Sequence, residues 1–269
     1  MERRIRIVGL CLIAVFALSA VVATTAQAGV ELGKCNKVGA TGKGKQKFKG
    51  RYKNKICSAA EGGEATPEEI GIGGETNKYN WVPGTGGNGT FTGKGKEVKI
   101  TTGQLNLVCK TSSSTGAIRG AETLEITFKF NKCQQPTNEK KECKTHGKEK
   151  EEIVSDKLLG KLSEGPSKEP LMTFAHLKSG AANPEEPWME FECIEKKFTV
   201  TQSLGGESTQ EPNKMTKKGG IEFNEVTGEQ GLIAEFPNAF NSEEIEKENL
   251  TAIFSQVFKY EASYEQRTT

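Results

Sequence analysis

The stretch that decides the fold is Leu124-Glu125-Ile126-Thr127-Phe128-Lys129-Phe130, in which apolar and polar residues alternate without a break. Successive side chains of a β-strand point to opposite faces of a sheet. The pattern therefore places the leucine, isoleucine and phenylalanine side chains on one face and the polar side chains on the other. The stretch predicts a strand with one buried face.

The same alternation recurs further along the chain, at Met189, Phe191 and Cys193 and again at Phe198 and Val200. Turns rich in Gly, Asn and Lys separate these short segments, and few windows carry an apolar stripe at helical spacing. Strands are therefore the predominant element predicted from this sequence.

The segment from Leu250 to Tyr264 fits two patterns. Leu250, Ile253 and Val257 have helical spacing, whereas alternate positions from Ala252 to Tyr264 form one strand face over a longer stretch. The longer match favours a strand. Residues 29–269 are accordingly predicted to be all-β, an antiparallel sandwich or barrel-like fold cross-linked by disulfides. They form one lobe, or two lobes with a boundary near residues 112–120.

Residues 1–28 have the pattern of a signal peptide. Arginines precede an apolar run over residues 7–23, and Ala26-Gln27-Ala28 supplies the small residues that signal peptidase requires. An uncleaved anchor is the alternative, because about 17 apolar residues is the lower limit for crossing a bilayer. Cleavage after Ala28 predicts a secreted protein, extracellular or cell-wall-associated, with no membrane contact once the signal is removed.

Loss of the signal segment leaves a formally neutral chain. The sequence holds 37 basic and 35 acidic residues, and removal of Arg3, Arg4, Arg6 and Glu2 leaves 34 of each. Nucleic-acid binding requires a concentrated positive surface, so no nucleic-acid partner is predicted.

The cysteines indicate an oxidising compartment. Six remain after Cys11 is lost with the signal, and an even number in an exported chain favours three disulfides. Several pairings are open to six cysteines. We favour those that close short local loops, together with the pair that then remains: Cys35 with Cys57, Cys133 with Cys143, and Cys109 with Cys193.

A series of segments occurs in a fixed order along the mature chain. They are Gly33-Lys34-Cys35-Asn36-Lys37-Val38, Gly50-Arg51-Tyr52, Tyr79-Asn80-Trp81-Val82-Pro83-Gly84, Val108-Cys109-Lys110, Asn131-Lys132-Cys133, Leu158-Leu159-Gly160-Lys161-Leu162, Phe191-Glu192-Cys193, Asn213-Lys214-Met215 and Gly228-Glu229-Gln230. Together they resemble a group of uncharacterised secreted actinobacterial proteins that are β-rich and contain cysteines. The resemblance implies a secreted β-rich fold, and it implies no activity, substrate or catalytic residue.

A glycine-rich stretch imitates a cofactor motif. Gly84-Thr85-Gly86-Gly87-Asn88-Gly89 matches the dinucleotide-binding pattern, which needs a following helix to hold the pyrophosphate. Thr90-Phe91-Thr92-Gly93 predicts a strand and a turn instead. Asn88-Gly89 is interpreted as a hairpin turn, and no cofactor is predicted.

Cys133, Cys143, His146 and His176 are residue types that bind zinc. In an oxidising compartment a disulfide is the simpler use of the two cysteines, so no metal site is predicted. No nucleophile motif accompanies either histidine. No catalytic residue is predicted, and the chain is interpreted as a protein that is not an enzyme.

The strand predicted at residues 188–193 carries a candidate binding site. Alternation places Trp188, Glu190 and Glu192 on the face opposite to the buried one. Two carboxylates two residues apart on a strand lie about 6 to 7 Å apart, which touches the acid–base spacing of about 6.5 to 9.5 Å in inverting glycosidases. The opposing interpretation is a chance pair, because carboxylates on one strand face do not flank a glycosidic bond.

Tyr79 and Trp81 form a second candidate site, because they share one face of a predicted strand and are followed by Pro83-Gly84. Such a pair can be a platform for a glycan or peptide, or a pair of core residues.

These observations leave three hypotheses for function. The first is a non-enzymatic secreted or cell-wall-associated β-protein with a binding or structural role, whose partner is a glycan, the cell wall or a protein. The second is an extracellular hydrolase that acts on glycans through Glu190 and Glu192. The third is a secreted protease inhibitor that presents a predicted charged loop, residues 140–152, held by a Cys133–Cys143 disulfide.

Overall fold

A computed structural model describes residues 29–40, 48–57, 77–84, 89–136, 141–148, 151–165, 168–193, 196–224, 232–237 and 244–268. These residues form strands and no helix, as predicted. The strands are β1 Val30–Lys37, β2 Tyr79–Pro83, β3 Gly89–Gly95, β4 Val98–Thr101, β5 Asn106–Ile118, β6 Thr123–Gln135, β7 Lys141–Lys144, β8 Glu152–Val154, β9 Leu158–Glu164, β10 Pro170–Lys178, β11 Ala181–Asn183, β12 Met189–Cys193, β13 Lys196–Thr201, β14 Leu204–Ser208, β15 Thr216–Phe223, β16 Ile233–Pro237, β17 Ile245–Asn249 and β18 Thr251–Thr268.

The largest set of antiparallel pairings closes on itself. Starting from β5, the order is β6, β9, β10, β14, β15 and β18, and β18 then pairs with β3 and β4, which both pair with β5. The barrel-like form of the predicted fold is therefore the one adopted. Each strand in this ring has partners on both sides, which removes open sheet edges.

A second set of strands forms a five-stranded antiparallel sheet in the order β7, β12, β13, β16 and β17. Strand β7 also pairs with β6, which joins this sheet to the ring. The inward residues of both sheets belong to one buried cluster. The boundary predicted near residues 112–120 falls on β5, which runs without interruption to Ile118, and the division into lobes stays a prediction.

The strand predicted from the opening stretch is the centre of the core. Phe128 in β6 is completely buried, and its ring centroid lies 5.8 Å from that of Phe174, 5.9 Å from Phe223 and 5.6 Å from Phe254. All three contacts are edge-to-face, an arrangement that stabilises aromatic pairs beyond the area they bury. These rings come from four strands, so this cluster fixes the strands relative to one another.

The C-terminal segment is the strand β18, as the longer alternation predicted. Its inward side chains include Phe254, Phe258, Tyr260 and Tyr264, all buried. Burial raises the pKa of the Tyr260 and Tyr264 hydroxyls, which keeps both hydroxyls neutral.

The polar side chain of Gln256 in β18 is buried inside the ring. The amide oxygen of Gln256 accepts a hydrogen bond from the Ser114 hydroxyl at 3.0 Å, and its amide nitrogen donates to the Ser112 hydroxyl at 2.6 Å. Gly93 and Gly95 on β3 face these groups, and a Cβ at either position would overlap the serine hydroxyls. The two glycines therefore allow this polar group to fit inside the core.

We predict that Ser112→Ala lowers the free energy of unfolding by about 1 to 3 kcal/mol, because the Gln256 amide nitrogen loses the acceptor that satisfies it in the core. Urea unfolding measures the change. Ser113→Ala is the matched control, since Ser113 lies one position along β5 and points outward. Equal stability of the two variants would contradict the role given to this network.

The structure confirms one predicted disulfide and corrects two. Cys35 is bonded to Cys57. The predicted Cys133–Cys143 and Cys109–Cys193 pairs are wrong, because Cys109 is bonded to Cys133 and Cys143 to Cys193. All four are directly opposite their partners on neighbouring strands.

The physical reason for the correction is that these four cysteines lie in one cross-strand row, on β5, β6, β7 and β12. Gln134 pairs with Glu142, so Cys133 and Cys143 occupy the next positions along β6 and β7. Cys109 and Cys193 are at the two ends of the row, about 14 Å apart at three strand spacings. A disulfide requires Cα atoms within about 7 Å, so only the two outer pairs oxidise all four residues.

Two further predictions fall wholly or partly on residues that the structure does not describe. The signal segment, residues 1–28, and Asn88 of the predicted hairpin turn lie outside the described residues. Within the described ranges, no helix has the length and hydropathy needed to span a membrane.

Candidate functional site

The outward face of β12 carries the carboxylates singled out from the sequence. Met189, Phe191 and Cys193 are buried, as alternation predicted, while Glu190 is exposed and Glu192 half-buried. Together with neighbouring side chains the two carboxylates line a surface groove of about 440 Å³. We call this the β12 groove, and its lining residues are Thr145, His146, Glu190, Phe191, Glu192 and Lys197.

Trp188 is not part of this face, which corrects the sequence prediction. Its side chain is buried, and the indole nitrogen donates a hydrogen bond to the carbonyl of Gln202 at 3.1 Å. Strand β12 begins at Met189, so the alternation does not extend back to Trp188. The groove therefore has no exposed tryptophan on which a sugar ring could stack.

Each groove carboxylate has a basic side chain nearby. The ammonium of Lys197 lies 2.9 Å from Glu190 Oε2, and Nδ1 of His146 lies 3.7 Å from Glu192 Oε1. The strand register also places Glu192 directly between Lys144 on β7 and Lys197 on β13. Acceptors and donors thus alternate from strand to strand across the groove.

The same alternation of charge continues across the sheet, where the ammonium of Lys247 on β17 lies 2.6 Å from Glu235 Oε1 on β16. Opposite charges on neighbouring strands stabilise a sheet by a few tenths of a kcal/mol to about 1 kcal/mol a pair. The outward face of the five-stranded sheet is therefore charged but balanced.

The groove is held in place from the side of β7. The hydroxyl of Thr145 donates to the carbonyl of Glu190 at 3.1 Å and accepts from the amide of Val154 at 3.0 Å. Beneath it, the Cys143–Cys193 disulfide joins β7 to β12. These contacts hold the backbone that leads to His146, whose own side chain is 94% exposed.

Glu190 and Glu192 are poorly placed for glycoside hydrolysis. A glycosidase needs its two carboxyl groups on opposite sides of the scissile bond, whereas these lie on one face of one strand. Glu190 is also engaged by Lys197. The geometry of this carboxylate pair does not support cleavage of a glycosidic bond.

Strand β7 corrects part of the charged loop predicted over residues 140–152. Glu142 and Lys144 point outward and Cys143 inward, so the segment alternates with a single buried residue. Pairing with β6 and β12 stabilises it, a contribution that composition does not show. The Cys133–Cys143 bond on which the inhibitor hypothesis relied is absent, while residues 146–148 remain an exposed turn after β7.

Tyr79 and Trp81 lie on β2 and are half-buried. The Trp81 ring is covered on one side by the guanidinium of Arg267, 4.6 Å from the ring centroid. It also lies against Gly33, where a Cβ would overlap the indole. A binding role for the pair stays a prediction, but Trp81 is already engaged in packing.

Arg267 is the centre of a cluster that sequence reasoning missed. Its guanidinium donates to Glu265 Oε2 at 2.8 and 2.9 Å, to the hydroxyl of Tyr52 at 2.9 Å and to the carbonyl of Cys57 at 2.8 Å. Glu265 is only 3% exposed. The cluster formed by Arg267, Glu265, Tyr52, Trp81 and Cys57, which we call the Arg267 cluster, fastens the Cys35–Cys57 segment to β18.

The two cysteines considered as zinc ligands are not free thiols. Cys133 and Cys143 are bound in different disulfides, and His176 on β10 pairs with Leu158 and Asn183. Across the described ranges no group of three or more potential ligands comes together.

A second depression, which the sequence did not indicate, lies on the outside of the ring between β3, β5 and β18 and has a volume of about 440 Å³. The register aligns Lys259, Thr92 and Thr115 in one row across it. Thr90 and Glu261 also line it. Alternating polar positions on these strands are the only sequence signal for it, and exposed strand faces commonly give the same signal.

Comparison with protein-family models, with curated proteins and with solved structures finds no match to this chain. The class of protein is therefore defined by the fold alone: an all-β protein with three disulfides. The disulfides indicate an oxidising environment.

Proposed function

We propose that this chain is a secreted or cell-wall-associated protein without enzymatic activity that binds an extracellular glycan in the β12 groove. The signal-peptide pattern of residues 1–28 and the three disulfides support export. The observation that carries the proposal is the geometry of Glu190 and Glu192, which lie on the outward face of one strand beside Lys197 and His146 and are not opposed across a cleft.

A neutral ligand rich in hydroxyl groups suits the chemistry of this groove. Glu190 and Glu192 accept hydrogen bonds, while Lys197 and His146 donate them, so a sugar hydroxyl can do both along one edge of the groove. A strongly charged ligand would have to displace one of the ion pairs. The volume of about 440 Å³ lies within the range of about 300 to 1,000 Å³ typical of small-ligand sites.

The test is binding of residues 29–269 to a glycan array and to insoluble cell-wall polysaccharide. Lys197→Met and Glu190→Gln are each expected to weaken binding about tenfold, the loss of about 1.4 kcal/mol that one charge-assisted hydrogen bond supplies. Their melting temperatures should remain near that of the parent, because exposed ion pairs contribute little to stability.

Lys99→Met is the matched control. Lys99 forms an exposed ion pair with Glu97 on the ring, and its side chain is 54% exposed, against 55% for Lys197. Equal loss of binding in this control, or unchanged binding in both groove variants, would contradict the assignment of the groove. Turnover of a glycan that Glu190→Gln abolishes would instead establish the hydrolase hypothesis.

A further inference from the structure

The four cysteines of the cross-strand row are more than two separate cross-links. Cys109 and Cys133 are opposite on β5 and β6, and Cys143 and Cys193 are opposite on β7 and β12. Gln134 on β6 pairs with Glu142 on β7. Cys133 precedes Gln134 and Cys143 follows Glu142, so the two cysteines occupy the next opposed positions. The two inner cysteines are thus neighbours on adjacent strands and belong to different disulfides.

All four side chains point to the same side of the sheets, because each is completely or almost completely buried in one continuous core. Directly opposed residues of an antiparallel pair share a face. A sulfur released at Cys133 or Cys143 therefore faces the neighbouring disulfide and not the solvent.

We propose that this row is a site of disulfide exchange, in which the bond pattern moves by one position and couples redox state to the β12 groove. An extracellular dithiol, which reaches this buried bond only during local opening of the strands, reduces Cys109–Cys133 to two thiols and is itself oxidised to a disulfide. The Cys133 thiolate attacks Sγ of Cys143, the Cys143–Cys193 bond breaks, and Cys193 leaves as a thiolate that takes a proton from water. The product contains Cys133–Cys143, with thiols at Cys109 and Cys193.

Exchange removes the covalent bond between β7 and β12 beneath the groove. In the fully oxidised protein that bond holds β7 beside β12, where Thr145 contacts the Glu190 carbonyl and His146 lies near Glu192. In the exchanged form β7 is tied to β6 instead, and these contacts depend on hydrogen bonds alone. The consequence for ligand binding rests on the proposed function, whereas the exchange itself does not.

Cys109→Ser tests the exchange without any reductant, because it leaves Cys133 as a free thiol. After equilibration at pH 8.5, acid quenching and alkylation, a non-reducing peptide map should contain the Cys133–Cys143 cross-link and alkylated Cys193. The two isomers are expected within a factor of about ten of each other. At pH 5 the redistribution should slow strongly, since only the thiolate attacks.

Cys193→Ser is the mirror variant, expected to yield the same Cys133–Cys143 cross-link with alkylated Cys109. Cys35→Ser is the control. It frees Cys57, which lies outside the row, and both row disulfides should therefore remain intact. Maps are made on monomeric protein with a parent-like circular dichroism spectrum, so that misfolded material does not contribute.

Retention of only the original remaining disulfide in both row variants would overturn the proposal, whatever the groove binds. Conversely, a Cys133–Cys143 cross-link in protein that binds no glycan would sustain the exchange and refute the proposed function. Faster hydrogen exchange of β7 amides in Cys109→Ser than in Cys35→Ser would show that disulfide exchange loosens β7 beside the groove.

Discussion

Replacement of Phe128 by alanine is expected to lower the free energy of unfolding by about 3 to 5 kcal/mol. The side chain is completely buried and contacts the rings of Phe174, Phe223 and Phe254, so the substitution leaves a cavity bounded by three strands besides its own. These rings cannot all move inward to fill it, because each is fixed in a paired strand. Urea unfolding followed by circular dichroism measures the change.

Thr127→Ala is the control for this substitution, since Thr127 is the adjacent residue on the outward side of β6 and should change stability by no more than about 0.5 kcal/mol. Phe128→Leu should fall between the two, because it removes less volume. A loss below about 1.5 kcal/mol for Phe128→Ala would show that the core relaxes around this position and that the cluster is not the centre of the ring.

Replacement of Arg267 by methionine is expected to cost about 3 kcal/mol, the amount typical when one partner of a buried ion pair is removed. Glu265 would remain 3% exposed without its cation, and the Tyr52 hydroxyl and the Cys57 carbonyl would lose their donor. Methionine keeps much of the packing volume against Trp81, so the change reports chiefly on charge and hydrogen bonding.

The double variant Glu265→Gln with Arg267→Met separates the two contributions. It should recover part of the loss, because a neutral amide is less costly to bury than an unpaired carboxylate. Arg267→Lys should recover little, since one ammonium cannot replace the two guanidinium contacts to Glu265 Oε2 together with the contacts to Tyr52 and Cys57. Full stability of the single methionine variant would show that the cluster is not needed for folding.

Strands were the predictable part of this fold because their signal is local. The alternation at Leu124 to Phe130 and along residues 252–264 directly records which side chains are buried. Strand β7 gives no such signal, because Cys143 is the one buried residue among Glu142, Cys143 and Lys144, and one of its two partner strands, β12, is distant in sequence. Composition alone therefore identified a loop where pairing forms a strand.

Disulfide pairing and the Arg267 cluster were not predictable for a related reason. Sequence distance favours short loops, but a pairing depends on which strands are adjacent, and Cys143 and Cys193 are brought together only when β7 pairs with β12. Likewise, Arg267 and Tyr52 are distant in sequence and meet only because β1 pairs with both β2 and β18. The two carboxylates of the groove were identified because they lie on a single strand.

Strand β18 determines when the ring of strands can close during synthesis of the chain. It pairs with β1, β3, β4 and β15, and it is the strand that closes the ring between β15 and β3. A chain synthesised from its N-terminus cannot complete that ring until residues 251–268 have emerged. Until then β3 and β15 present open edges, and open strand edges favour aggregation of the incomplete chain.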